Sequence, residues 1–141
     1  MKKQFVVKVY TPKGLVLEKS TDFLGLPGKT GDIGIFVGHS PSLIECIEGE
    51  MVLKTTSNTH SFFLPESIAH IGKQNVILLV NHLEPIENID KKRAQSSKER
   101  AEERLKSAEM DHSLDIDVKR AKKSLNRAEL RLEILLKYHL N

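Results

Sequence analysis

The side chains most often used in catalysis and metal binding show no catalytic arrangement in this chain. The six histidines do not pair at the spacing of metal ligands, so strand or surface positions account for them better than a metal site. There is no Gly-rich phosphate loop of the Walker type and no G-x-S-x-G nucleophile motif. The single Cys46 lies between Ile44 and Ile47, which indicates a buried structural thiol. We therefore expect no enzymatic activity, no metal and no required cofactor. The histidines are His39, His60, His70, His82, His112 and His139.

Positive charge is concentrated in the C-terminal part of the chain. Residues 1–88 hold 8 basic and 9 acidic side chains, and residues 89–141 hold 14 and 10, so the two parts carry −1 and +4. The total of +3 is too small to indicate nucleic-acid binding, but the C-terminal part suits an acidic surface or a phosphate. The longest apolar run, Val76 to Val80, is far shorter than the ~20 residues that cross a bilayer, and the N-terminal pattern is not that of a signal peptide. We expect membrane association only through a partner.

The predicted secondary structure, which positions the side chains discussed above, changes from strands to helices near residue 86. All 8 glycines and 5 prolines lie at or before Pro85, together with most aromatic residues, whereas the rest is rich in Ala, Leu, Glu, Lys and Arg. We expect an α+β protein, with an N-terminal antiparallel β-sandwich (1–86) followed by a C-terminal antiparallel two-helix hairpin (87–141). The predicted strands are Phe5–Tyr10, Gly14–Glu18, Asp22–Leu26, Gly34–Val37, Leu43–Glu48, Glu50–Thr55, His60–Leu64, Ser67–Ile71 and Asn75–Val80.

Two helices are predicted, one between Asn88 and Glu109 and one from Asp117 onward. Their small and apolar residues form a thin seam dominated by alanine and serine, which lets the helices approach closely. Such a seam buries little apolar area, so we expect the hairpin to be marginally stable by itself and able to detach, open or extend. The seam residues are Ile89, Ala94, Ser97, Ala101, Leu105 and Ala108 in the first helix, and Val118, Ala121, Leu125, Ala128, Leu132 and Leu135 in the second.

The most informative stretch of the first part runs from Leu26 to Pro41. It contains four glycines within eleven residues, which implies tight backbone geometry with positive φ or close approach at several points. On physical grounds alone, two consecutive loops of a sandwich explain it.

Several motifs in sequence resemble the epsilon subunit of F-type ATP synthases. The Gly-rich stretch gives Pro-Gly, then Gly-acidic-aliphatic-Gly, then Gly-His-x-Pro, and Phe5–Tyr10 with the following Thr-Pro-Lys-Gly resembles the family's opening strand and turn. The segment Ile89–Ala94 resembles the family's Ile/Leu-Asp-x-x-Arg-Ala motif, and Lys98–Leu105 resembles the charged helix after it. The chain departs from the family at Glu66-Ser67, where a Gly-Gly pair is usual. The resemblance covers nearly the whole chain.

The resemblance implies a non-catalytic rotor subunit whose sandwich binds the gamma subunit and the ring of membrane c subunits. Gly31, Asp32 and His39 match the segment that faces the ring, where Asp32 would pair with basic c-subunit loops and His39 would stack or hydrogen-bond. From the residues alone, Asp32 also fits a solvated turn carboxylate. His39 also fits a local hydrogen bond that holds the turn from Gly38 to Pro41.

In this family the helical part is regulatory. Folded down it lies against the sandwich, and extended it reaches along gamma, meets the catalytic alpha and beta subunits and blocks ATP hydrolysis. A dense basic stretch matches that acidic contact, although an ordinary solvated helix face explains it equally well. Its residues are Lys119, Arg120, Lys122, Lys123 and Arg127.

Some bacterial members bind ATP in the folded-down state, and this chain keeps the residues concerned. Guanidinium groups suit phosphate oxygens, and a carboxylate can accept from the adenine amine or the ribose. Arginine pairs on the two helices could meet around an anion, or could instead pair with Glu99, Glu103 or Glu129 and bind nothing. The matching residues are Glu84, Ile89, Asp90, Arg93, Ala94, Arg100, Arg127 and Arg131.

Two other classes of protein fit the same pattern. A stand-alone ATP-sensing module would bind nucleotide without a rotor, and a sandwich adaptor with a coiled-coil arm would bind nucleic acid or another helix. The mild charge and the lack of aromatics for base stacking argue against the adaptor. The resemblance implies a peripheral location at the cytoplasmic face of a bacterial plasma membrane, and a plastid-encoded origin also fits. Either proton or sodium could be the driving ion.

Overall fold

A computed structural model describes residues 3–138, and the chain divides into two compact units, Met1–Ile86 and Glu87–Asn141. The first unit is a β-sandwich and the second consists of two helices, so the predicted fold class is confirmed. All nine predicted strands are present, with ends shifted by at most a few residues, and a short tenth strand was missed. The strands are β1 (Phe5–Thr11), β2 (Gly14–Thr21), β3 (Phe23–Gly28), β4 (Gly31–Phe36), β5 (Ser42–Cys46), β6 (Gly49–Lys54), β7 (Thr59–Leu64), β8 (Ser67–Ile71), β9 (Asn75–Leu79) and β10 (Glu84–Pro85).

The strands pair in the order β10-β7-β6-β3-β5-β8-β9-β1-β2, and β4 pairs with β3 beside this path. Among the described strands every pair is antiparallel except β1 with β9, which is parallel, so the predicted antiparallel sandwich contains one parallel pairing. Antiparallel neighbours can be joined by tight turns, whereas a parallel pair needs a long connection. Here that connection is most of the sandwich itself.

Alternating burial along the strands builds the core. On β1, Phe5, Val7 and Val9 point inward and are almost completely buried, while the residues between them are half-buried. Cys46 is also buried in this core, as expected. Burial raises the pKa of its thiol, because the thiolate would lose its hydration.

The apolar run Val76–Val80 differs from the expected strand covered on both faces. Val76, Leu78 and Val80 are buried, but Ile77 is only half-buried and Leu79 is 65% exposed. The strand lies centrally between β8 and β1, yet its outer face is open to solvent. An uninterrupted apolar run does not distinguish a face covered by its own chain from one that a partner would cover.

The Gly-rich stretch is a hairpin and not two consecutive loops. β3 and β4 pair along their whole length, from Phe23 opposite Phe36 to Gly28 opposite Gly31, with only two residues between the strands. Gly31 and Gly38 have φ values of 131° and 88°, in the region that side chains rarely adopt, so the expected positive φ occurs at both ends of β4.

The second unit contains α1 (Lys91–Met110) and α2 (Val118–Lys137), preceded by a 3-10 turn at Ile86–Asn88. Each helix begins at an aspartate whose carboxylate accepts from the backbone N–H three residues later. Asp90 accepts from Arg93 N at 3.1 Å and Asp117 from Arg120 N at 3.0 Å, which satisfies otherwise orphaned amide groups.

Four alanines form the centre of the predicted helical seam. Ala94 and Ala101 of α1 and Ala121 and Ala128 of α2 are nearly fully buried and recur at the same seven-residue spacing on both helices. The seam therefore brings the two backbones close together, as expected. Ile134 is buried although it was not predicted, and Val118 is exposed although it was.

Candidate partner and nucleotide sites

In the segment from Ile89 to Ala94, three of the residues that match the family motif have a structural role. Ile89 and Ala94 are buried, and Asp90 caps α1 through one of its carboxylate oxygens. Arg93 is exposed, so its guanidinium lies on the surface of the helix. Asp90 retains a second carboxylate oxygen for a ligand donor, and Arg93 supplies a positive charge one turn away.

Arg100 and Arg127 are held in the same way on opposite helices. Arg100 Nη2 donates to Ser97 Oγ at 3.3 Å, and Arg127 Nη2 donates to Ser124 Oγ at 3.4 Å. Each arginine thus lies along its own helix toward a serine three residues earlier. Within residues 3–138, neither of them forms an ion pair with a carboxylate.

The structure brings only part of the predicted arginine set to one place. A cavity of about 170 Å³ between α1 and α2 is lined by Arg100 and by Ser124, the serine that Arg127 contacts. Arg93 and Arg131 do not line it. Arg131 is half-buried, and Glu84 belongs to β10 of the first unit, where it lies opposite Phe63.

Sequence reasoning did not identify three residues that line this cavity, Ser97, Ser124 and Arg104, as candidate binding residues. The signal available for Arg104 was its spacing of four from Arg100, which places both on one helix face. For the serines it was their position three residues before an arginine on each helix.

The basic stretch of α2 lies largely on the helix surface. Lys119, Arg120, Lys122 and Lys123 are exposed and Arg127 is half-buried. No carboxylate occurs between Val118 and Ala128, so this segment of the helix carries only positive charge.

Gly31 and Asp32 lie at the opposite end of β4 from His39. At ~3.3 Å per residue, the distance from Asp32 to the end of the strand at Phe36 is about 13 Å, and His39 lies beyond it. Asp32 is exposed at the hairpin tip. His39 Nδ1 lies 2.8 Å from Ser40 O, and its backbone N–H donates to Phe36 O at 3.2 Å, so it stabilises the turn locally. A partner that touches both residues must lie along the hairpin.

A second charged group flanks the hairpin tip. Lys29, between β3 and β4, forms an ion pair with Glu45 of β5 at 2.8 Å. The hydrogen bond and the opposite charge raise the pKa of Lys29 and lower that of Glu45. Both side chains are largely exposed, so the pair fixes geometry more than it adds stability.

An exposed sheet face crosses β5, β8, β9, β1 and β2, and sequence reasoning did not predict it. The strand register aligns Glu45, Ile68, Leu79, Tyr10 and Leu15 in one row. Ile68, Leu79 and Leu15 expose 55%, 65% and 48% of their surfaces. The row beside it consists of Leu43, His70, Ile77, Lys8 and Glu18.

A groove lies at one end of the exposed sheet face. It has a volume of about 320 Å³ and is lined by Tyr10, Pro12, Glu66, Leu79 and Asn81, among others. An apolar row of this kind beside a groove is typical of a surface that binds another protein.

Residues 3–138 contain no helix that is long and apolar enough to cross a membrane. In the same part of the chain, no group of three or more His, Cys, Asp and Glu side chains is arranged to hold a metal ion.

The chain matches one family in both of its units. Residues 4–86 match the β-sandwich domain of the ATP synthase delta/epsilon chain, and residues 87–135 match the long α-helix domain of the same chain. The chain therefore belongs to the delta/epsilon chain family of ATP synthases, which confirms the resemblance found in its motifs.

Bacterial relatives carry the name ATP synthase epsilon chain. The protein of Nitratidesulfovibrio vulgaris is 34% identical over 105 residues, which cover 74% of this chain and 78% of the relative. The protein of Bacillus subtilis is 32% identical over 105 residues, covering 74% and 80%.

A solved structure shares the fold at low sequence identity. A chain of the Euglena gracilis mitochondrial ATP synthase, determined as an OSCP/F1/c-ring assembly, superposes with a TM-score of 0.80 at 17% identity. The match covers 94% of this chain and 81% of the other.

Proposed function

We propose that this chain is a non-catalytic rotor subunit of a bacterial F-type ATP synthase, located in the central stalk at the cytoplasmic face of the plasma membrane. It couples the gamma subunit to the c ring and restrains ATP hydrolysis through its helical unit. The observation that carries the proposal is the exposed sheet face, because a rotor subunit needs a permanent partner for such a surface. The membership of the family and the fold shared with a chain of an F1/c-ring assembly support it.

The exposed sheet face is assigned to the gamma subunit. Ile68, Leu79 and Leu15 lie side by side across neighbouring strands, so one partner surface can cover them together. Burying each such side chain is worth about 1–2 kcal/mol once its partial exposure is considered, so the three together contribute to the interface beside their polar neighbours.

The β3–β4 hairpin is assigned to the c ring. Asp32 offers an exposed carboxylate for basic c-subunit loops, and the Lys29–Glu45 ion pair holds the hairpin tip against β5. His39 supports this surface by fixing the turn after β4, and Gly31 supplies the positive φ that starts the strand.

The helical unit is assigned the regulatory role. Its exposed cations Lys119, Arg120, Lys122 and Lys123 suit acidic surfaces of the alpha and beta subunits when the helices extend. ATP is the proposed effector of the folded-down state, bound through the carboxylate of Asp90 and the arginines Arg93, Arg100, Arg127 and Arg131.

Membrane fractionation tests the rotor assignment. The chain should sediment with membranes and be released together with the catalytic subunits. A chain found only as a soluble monomer that binds ATP would contradict the rotor role and favour a stand-alone ATP sensor.

Calorimetric titration with ATP tests the effector assignment. Binding by the isolated chain should be saturable and should be lost in Arg93→Ala and in Arg127→Ala. The matched control is Lys106→Ala, which removes an exposed cation of α1 outside the proposed site. Absence of binding up to millimolar ATP would exclude ATP as the effector and leave the rotor assignment intact.

A further inference from the structure

His70 lies near the centre of the exposed sheet face. The strand register places it between Leu43 of β5 and Ile77 of β9, and Ile68 lies two residues earlier on the same face of β8. His70 is itself exposed, and Leu43 and Ile68 expose 70% and 55% of their surfaces. The imidazole therefore has apolar neighbours on its own strand and on both adjacent strands.

The nearest charged side chain on β5 is already paired. Glu45 lies opposite Ile68, which places it diagonally from His70 at about 7–8 Å between Cα atoms. Its carboxylate forms the 2.8 Å ion pair with Lys29, and that contact lowers the pKa of Glu45. The negative charge of Glu45 is therefore balanced by Lys29 and attracts a proton on His70 only weakly.

Charged side chains on the other strands are distant from His70 or paired. β9 has none, and β1 carries Lys8 in the same row, two strands or about 10 Å away, where it contacts Glu18 of β2 at 3.7 Å. Along the chain, Glu66 and Lys73 lie on either side of β8, outside the strand. In the part of the chain that the structure describes, no carboxylate pairs with the imidazole of His70.

The two protonation states of an imidazole in this position differ in the cost of being covered. Imidazoles change charge between pH 5 and 8, so both states are accessible near neutral pH. A partner that covers the apolar neighbours of His70 removes water from around the ring, and burial without a counter-ion disfavours the charged form. The neutral ring retains one N–H donor and one acceptor nitrogen, which a backbone group or a hydroxyl of the partner can satisfy.

We propose that the exposed sheet face binds the gamma subunit with His70 in its neutral form. Binding then releases a proton from the charged form of His70, and the contact weakens as the pH falls. The partner surface that fits this position is apolar, with a neutral hydrogen-bonding group and no carboxylate opposite the imidazole. This role of His70 rests on the assignment of the exposed sheet face to gamma.

The test is a calorimetric titration of purified gamma with the full chain at pH 7.5, 6.5 and 5.5 and constant ionic strength. The variant is His70→Gln, because glutamine keeps a donor and an acceptor but takes up no proton in this range. The matched control is His112→Gln, since His112 is exposed in the connection between α1 and α2, outside the sheet. Circular dichroism and thermal melts at each pH verify the fold of all three proteins.

Proton release is measured directly at pH 6.5. The titration is repeated there in two buffers that differ in their enthalpy of ionisation, and the difference between the two observed heats gives the number of protons released on binding.

We expect the wild-type chain to bind gamma about tenfold more weakly at pH 5.5 than at pH 7.5, because one proton must be lost and an ordinary histidine has a pKa of about 6.5. His70→Gln should lose most of this difference, and His112→Gln should retain it. At pH 6.5 the wild type should release about half a proton on binding, and His70→Gln close to none.

Three results would overturn this role of His70 and leave the assignment of the face to gamma intact. They are a wild-type Kd that does not change with pH, the same pH dependence in His70→Gln, and tighter binding at pH 5.5, which would indicate a carboxylate of gamma opposite the imidazole. A wild-type chain that fails to bind gamma at every pH would overturn both the assignment and the role of His70.

Discussion

Leu79→Ala should weaken binding of this chain to the gamma subunit while leaving its fold intact. Leu79 points away from the core and is 65% exposed, so it contributes little to the stability of the free chain. Full burial of a leucine side chain is worth about 1.5–3 kcal/mol, and the fraction still available for burial by a partner gives about 1–2 kcal/mol. That loss corresponds to a roughly 5- to 30-fold increase in Kd.

Purified gamma subunit is titrated with the chain in the absence of the c ring, and binding is measured by calorimetry or surface plasmon resonance. Val37→Ala is the matched control, because Val37 is also partly exposed but follows β4 and lies off the exposed sheet face. Ile68→Ala should behave like Leu79→Ala, since the two residues are opposite each other on β8 and β9. Equal affinity of wild type and both variants would refute the assignment of this face to gamma.

Three further properties follow from the geometry of the sandwich. Gly28→Ala should lower the free energy of unfolding by about 1–3 kcal/mol, because a Cβ would lie 2.5 Å from Ile33 Cδ1 and 2.7 Å from Gly31 O; an unchanged Tm would contradict this packing. Cys46 should react with a thiol reagent at pH 8 far more slowly in the native chain than in the unfolded one, since burial raises the pKa of its thiol; equal rates would show that the thiol is accessible. The lowered pKa of Glu45 should make its ion pair stabilise the sandwich above about pH 4.5, its ordinary pKa, and lose that effect as the pH falls through the lower folded value. Thermal melts should therefore show a smaller decrease in Tm below pH 4.5 in Glu45→Gln than in wild type, and identical pH profiles would remove any role for the pair.

Local patterns predicted both helices and nine of the ten strands in the described part of the chain. Alternation along Phe5–Tyr10 placed β1, and the loss of Gly and Pro after Pro85 placed the start of the helical unit, because both signals arise within a few neighbouring residues. The parallel pairing of β1 with β9 joins segments far apart in the chain, so no local pattern encodes it. The same limit applies to the start of β4, where the predicted strand began at Gly34 but pairing with β3 begins at Gly31.

The candidate sites were harder to predict than the strands and helices. They depend on which residues of neighbouring strands and helices lie opposite one another. Leu79 belongs to an apolar run that is identical in pattern to a buried strand, and only its alignment with Ile68 and Tyr10 identifies an exposed row. Arg104 was overlooked because its role depends on which residues of α2 lie opposite. The nearly fully buried alanines Ala101 and Ala121 line the same cavity as Arg104 and Ser124.

The two roles of Asp90 can be separated by substitution. Its carboxylate caps α1 by accepting from Arg93 N, and the proposed ATP site needs the same carboxylate as a ligand acceptor. Serine is as good an N-cap as aspartate, so Asp90→Ser should keep the helix, whereas Asp90→Ala should cost about 0.5–2 kcal/mol of stability. If Asp90 also binds ATP, Asp90→Ser should weaken ATP binding by about tenfold or more, because a charged acceptor is lost while the helix remains. Thermal melts and calorimetry on both variants distinguish the roles. Retained ATP affinity in Asp90→Ser would limit Asp90 to capping, and the matched Ile-Asp-x-x-Arg-Ala segment would then describe how the helix begins and not where a nucleotide binds.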